Sequence, residues 1–133
     1  MSIEAPVQLG ADTRLWPVVR RSHADFELFR FEVEVPAQLG CWPGHFPGWQ
    51  VVPGALQLHW VQVLAAHSFG LTGGPVRIER AKFAAPIGPG QRFGLSLERK
   101  PHGRVAFRLD DVERLYSSGL LDFTGAGEVE SAP

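Results

Sequence analysis

The run from Ala55 to Phe69 contains neither glycine nor proline and is apolar on nearly every side. No other feature limits the possible folds so strongly. Its length, about 15 residues, is helical in scale. Pro53 suits a helix start and Gly70 a helix stop. A helix without a broad polar face has to be covered by other structure, so this one is expected to be buried.

What covers it is legible on both sides. From Asp25 to Val35 the sequence alternates: Phe29, Phe31, Val33 and Val35 share one face, and Arg30, Glu32 and Glu34 share the other. That is the pattern of a half-buried strand, ended by Pro36. Leu15 to Arg20 is a weaker strand candidate. Alternation returns in Val76–Phe83, around Phe93, Leu95 and Leu97, and again around Val105, Phe107 and Leu109; Leu115–Phe123 is a further candidate. Pro101-His102-Gly103 reads as a hairpin turn, and Gly125–Pro133 as a frayed end. The order is two strands, a loop, one helix and about four strands. It predicts an α+β domain spanning residues 1–133, with an antiparallel sheet curled around the helix.

Composition narrows the function classes. A net charge of −1, from 13 basic and 14 acidic side chains, gives no reason to expect nucleic-acid binding. No apolar run reaches the roughly 18 residues that a bilayer span needs. The first residues show no basic stretch followed by an apolar one, so no secretion signal is expected. Cys41 is the one cysteine, which excludes an intrachain disulfide and makes a reducing cytoplasm the default location.

Glycine and proline crowd residues 40–54, LGCWPGHFPGWQVVPG with its preceding leucine. So many breakers imply an irregular loop, and irregular loops on rigid scaffolds are where sites tend to lie. GHFPGWQVVPGALQL resembles the signature of the beta-hydroxyacyl-acyl carrier protein dehydratases: HFPG, a short spacer, PG, then a helix bearing an acidic residue. The later stretch KFAAPIGPG, residues 82–90, resembles that family's KF-x-x-P-x-x-PG segment. The two stretches stand in the expected order. The resemblance implies a hotdog fold, a homodimer or dimer of dimers with active sites at the subunit interface, and an acyl thioester substrate carried by acyl carrier protein or CoA. It implies no metal and no organic cofactor. The nearest likeness is to short dehydratase-like proteins of fatty-acid and aryl-polyene pathways.

Removing water from a 3-hydroxyacyl thioester needs a base for the weakly acidic C2 proton. On the resemblance this is His45, since imidazole, with a reference pKa of about 6.5, is mostly neutral at pH 7. Phe46, Pro47 and Gly48 would fix the loop around it. The thioester oxygen gains negative charge as the proton leaves, and a backbone N–H at a helix N-terminus suits it. Gly54, following Pro53, is the candidate donor because it has no side chain to block approach. Phe83 and Trp60 complete the candidate substrate-binding residues.

The departing hydroxyl also needs a proton. In the family a helix Glu or Asp supplies it, but here the matching position is His59, and no carboxylate lies on the helix. The nearest acids in sequence are Glu34 and Glu79. An imidazole can serve as the acid. About one-quarter is protonated at pH 7, a population cost of roughly 0.8 kcal/mol, against the roughly 3–5 kcal/mol that general acid catalysis supplies.

Other residues have plainer readings. Cys41 is a small hydrophobe more readily than a nucleophile. Trp42, Trp49 and Trp60 either pack or line an acyl tunnel, and Gln62 is placed to orient His59. His59 and His67 lack the further ligands a metal site needs. Arg77, Arg80 and Lys82 form a solvated strand face or a landing place for an acidic carrier protein. The alternatives to a dehydratase are a hotdog thioesterase, disfavoured by the missing helix carboxylate, and a non-catalytic acyl-binding hotdog subunit.

Overall fold

A computed structural model describes residues 2–3, 17–25, 27–36, 51–71, 74–75 and 77–124. In chain order the elements are β1 (Ser2–Ile3), β2 (Val18–Ala24), β3 (Leu28–Glu34), α1 (Gly54–Phe69), β4 (Arg77–Phe83), β5 (Arg92–Lys100), β6 (Arg104–Asp110) and β7 (Leu115–Asp122). Among the described residues they form one antiparallel sheet in the order β1-β2-β3-β5-β6-β7-β4, with α1 against it.

Register explains the core. Phe31 pairs with Leu95 and Val33 with Phe93; Leu95 pairs with Leu109, Leu97 with Phe107, and Val105 with Leu121. Directly paired residues point to the same face, so these side chains form one apolar surface, all but closed to solvent. Leu56, Trp60, Val61 and Leu64 of α1 press onto it. Each such side chain contributes on the order of 1.5–3 kcal/mol when fully buried. Gly119, opposite Phe107, is small for a reason: a Cβ there would stand 2.7 Å from the Phe107 ring.

α1 begins at Pro53 and ends at Gly70, as the sequence indicates. Gly70 takes the left-handed conformation, φ 66°, and its N–H donates to Ala66 O. The helix is buried on the side that meets the sheet, whereas Ala55, His59 and His67 are exposed. The apolar character of both sides concealed that division.

β2 runs farther than the alternation suggested, from Val18 to Ala24, because Arg20, Arg21 and His23 face outward and only Val19 and Ser22 are buried. A bulge between Val19 and Arg21 breaks its period. A turn in which Asp25 N donates to Leu28 O separates it from β3. The Pro101-His102-Gly103 hairpin turn joins β5 to β6, with His102 and Gly103 at φ 67° and 73°. The two-residue β1 had no signal in the sequence. Gly125–Pro133 lie outside the described residues.

A candidate active site at the helix N-terminus

The described parts of the two stretches that carry the family resemblance, from Val51 onward in the first, meet in space. Val52 N donates to Ile87 O at 2.7 Å, tying the entry of α1 to the chain just after β4. Ala84 N and Ala85 N donate to Tyr116 O, which fixes the end of β4 against β7. Between the two segments lies a crevice of about 520 Å³, walled by Val51–Gly54 and Gln57 on one side and by residues 83–86 on the other.

Gly54 and Phe83 form its narrowest point. A Cβ on Gly54 would stand 3.0 Å from the tip of the Phe83 ring, so the ring occupies the room that glycine leaves. Phe83 itself is 48% exposed, an unusual state for a phenylalanine, because β4 is an edge strand. A β-bulge between Glu79 and Lys82, with Arg80 at φ 57°, precedes it on the strand.

The first turn of α1 is uncapped. Pro53 stands at the N-cap without a side-chain hydrogen bond, and the turn contains no acidic residue. Pro53 O accepts from Leu56 N and Gln57 N. The N–H groups of Gly54 and Ala55 have no acceptor among the described residues. Amides at a helix N-terminus attract negative charge, and Gly54 is one of the residues that line the crevice.

The other expected residues are distributed as follows. His59 is exposed on the side of α1 facing away from the core, one turn beyond Ala55 on the same stripe. Gln62 is half-buried, and Trp60 is fully buried on the core side, away from the crevice walls. His45, Phe46, Pro47 and Gly48, with Cys41, Trp42 and Trp49, lie outside the described residues. Glu34 and Glu79 are engaged elsewhere: Glu34 by Arg20 at 2.8 Å and Arg92 at 3.4 Å, Glu79 by Arg77 and Arg104. The Arg20 hydrogen bond in particular holds the Glu34 carboxyl below its ordinary pKa. Neither carboxylate takes the place missing from the helix.

The sequence reading overlooked Gln57. It is buried in the first turn of α1, its Nε2 donates to Val52 O at 3.2 Å, and its Oε1 has no partner among the described residues. The signal was available, for a polar residue on the core side of an apolar helix needs a reason. It went unread because the helix's core side was not visible in the sequence.

A larger concavity, about 660 Å³, lies on the sheet face away from α1, over Ser96, Ala106 and Ser118. Its charges are largely matched: Lys100 with Glu98, Arg104 with Glu79, Arg108 with Asp110. Among the described residues no group of three or more His, Cys, Asp or Glu is placed to hold a metal, and no helix is long and apolar enough to cross a membrane.

An antiparallel sheet packed on one helix is the architecture of the hotdog fold. Among solved structures, the dehydratase heterocomplex ApeI:P from Xenorhabdus doucetiae matches this fold with a TM-score of 0.68, at 24% identity, over 80% of this chain and 96% of that one. An uncharacterized protein from Erwinia carotovora subsp. atroseptica matches with a TM-score of 0.65, at 29% identity, over 76% and 87%. The model of the ApeI-like family, ApeI dehydratase, matches residues 21–120, and the chain belongs to that family. A curated relative, the 3-hydroxyacyl-[acyl-carrier-protein] dehydratase FabZ of Novosphingobium aromaticivorans, is 41% identical over 64 residues, covering 41% of this chain. The match spans only 40% of that relative's length.

Proposed function

We propose that the protein removes water from 3-hydroxyacyl thioesters, carried on acyl carrier protein or CoA, in fatty-acid or polyene-type biosynthesis in the cytoplasm. The observation that carries this reading is the uncapped N-terminus of α1, whose Gly54 N–H opens beside a crevice walled by Phe83. Family membership supports it.

In this reading the thioester oxygen accepts from Gly54 N–H. His45 takes the C2 proton, and the electrons of that C–H bond form the C2–C3 double bond. The C3–O bond breaks as His59 protonates the departing hydroxyl, and water leaves. Aligned donors that meet the charge as it develops supply much of such a rate enhancement. Phe46, Pro47, Gly48, Pro53 and Phe83 shape the acyl and arm path. Trp60 reaches the acyl chain only through the packing of α1.

A solvent-facing imidazole is poorly placed to hold a substrate out of water. A second copy of the chain laid over the outer side of α1 and along the open edge of β4 would enclose His59, so the working unit is a homodimer or a dimer of dimers. A second reading keeps the fold but moves the chemistry to a partner. The helix has no carboxylate, and the Xenorhabdus relative is described as part of a dehydratase heterocomplex. A non-catalytic acyl-binding subunit would fit both facts.

One assay separates these readings. The purified chain alone, given 3-hydroxyacyl thioesters, should yield a conjugated enoyl thioester, followed by ultraviolet absorbance and loss of the mass of water. His45→Ala should nearly abolish the product; unchanged turnover in that variant sinks the assignment of the base. No product from the wild type, with product appearing on adding a second hotdog protein, supports the subunit reading. Release of free thiol identifies a thioesterase.

A further inference from the structure

We propose that Gln57 reads the 3-hydroxyl of the substrate, its Oε1 accepting a hydrogen bond from that hydroxyl within the crevice at the N-terminus of α1. This inference rests on the dehydratase reading above and extends it to a residue with no assigned role.

Gln57 is only 4% exposed, yet its Oε1 has no hydrogen-bond partner among the described residues. Buried acceptors are nearly always satisfied, so this one needs a partner that the described residues do not provide. The amide's orientation is not in doubt: Nε2 donates to Val52 O at 3.2 Å, and flipping the group would set two oxygens against each other. Oε1 is therefore the atom left for a ligand, and it can only accept. Gln57 lines the same crevice as Gly54, whose N–H can only donate. An acceptor and a donor on residues of one crevice wall, three apart on the same helix, fit a molecule that offers a carbonyl oxygen and, close to it, a hydroxyl. A 3-hydroxyacyl thioester is such a molecule, with two carbon–carbon bonds between the two groups.

The chemistry gives this pairing a direction. The substrate carries the hydroxyl, whereas the enoyl product has lost it. A buried acceptor that finds a donor in the substrate and none in the product favours the first by a factor of about ten to a hundred. Holding the hydroxyl proton also turns the oxygen's lone pairs toward whatever acid protonates it.

The test compares two ligands that differ by one hydroxyl. Pantetheine amide analogues bearing a 3-hydroxyoctanoyl or an octanoyl chain resist elimination, so binding is read without turnover. Calorimetry on the wild type should show at least about a tenfold preference for the hydroxylated analogue. In Gln57→Met and Gln57→Leu the preference should collapse to about twofold or less, while octanoyl binding stays within about threefold of wild type. A preference that survives either substitution overturns the proposal. So does a wild type that binds both analogues equally, which would leave Oε1 to an ordered water. Equal weakening of both ligands in the variants also overturns it, because the residue would then serve the pantetheine arm or the fold. Failure of the dehydratase reading looks different: the wild type would form no enoyl product from a 3-hydroxyacyl thioester.

Discussion

The ring of Phe83 rests against the α-carbon of Gly54, its tip 3.0 Å from where a Cβ would stand. A strand residue and a helix residue from the two halves of the family signature thus share one small space. Gly54→Ala should push the ring outward and narrow access to the first-turn amides. The fold should survive, with a melting shift of no more than about 4 °C, while kcat/KM for dehydration falls about tenfold or more. Phe83→Ala in the same chain should return part of that loss, since residues in contact act non-additively. A double-mutant cycle in kcat/KM checks this.

His59 is exposed, so removing its side chain should cost the single chain little stability. If it is the acid, His59→Ala should lower kcat by roughly 10²–10⁴-fold with an unchanged melting temperature. His59→Glu restores the family's usual group and should retain most of the turnover. Steady-state kinetics on the three proteins decides; wild-type rates in the alanine variant would remove His59 from the mechanism.

Asp122 anchors the edge that carries Phe83. Its buried carboxylate accepts from Thr124 and pairs with Arg77 of β4 and, at 3.9 Å, with Arg104 of β6. The Thr124 hydrogen bonds, then the arginines, lower its pKa from the ordinary 3.8 to about 2. A carboxyl depressed on folding stabilises the folded state above its unfolded pKa, and that contribution fades as pH falls toward the folded value. Stability should therefore drop between about pH 4 and pH 2. Asp122→Asn should be less stable at neutral pH and show a shallower decline over that window. Urea melts across the range measure both.

Trp60 is wholly buried in the core. Trp60→Ala should cost about 3–5 kcal/mol and unfold much of the protein at moderate temperature. A tunnel-lining tryptophan would instead give a folded variant with altered chain-length preference. Thermal unfolding set beside activity on C4 to C12 substrates distinguishes the two outcomes.

Much of the architecture was legible because its signals are local and periodic. Phe31, Val33 and Val35 alternate and are buried as read, and Pro53 and Gly70 bound the helix as expected. β2 was cut short because arginines occupy its outward positions and a bulge resets its period. For the site, Gly54 and Phe83 were each singled out from the motifs, on separate grounds, and the structure sets them in contact. Gln57 was missed for a physical reason. A helix whose partly buried positions include Leu58, Val63 and Ala66 shows too little contrast between its sides for the sequence to place Gln57 on the inner one. His45 and its neighbours fall outside the described residues, so their roles rest on the resemblance alone.

The hydrogen bonds at Val35 carry one last implication. Val35 N donates to Gln91 O and Val35 O accepts from Gly90 N, so the chain leaves β3 and returns to its side, to begin β5, at one spot. Everything that forms the crevice belongs to the excursion between. β3 can pair with β5 only after that long loop closes, whereas β5, β6 and β7 follow one another through short turns. Among the described residues β4, which holds Phe83, pairs in the sheet with β7, the last of the described strands in chain order. The site-bearing stretch thus leaves the ribosome well before the strand that anchors it exists. A nascent chain must carry its apolar helix uncovered until β5, β6 and β7 have followed it, and that interval is when it most needs protection from aggregation.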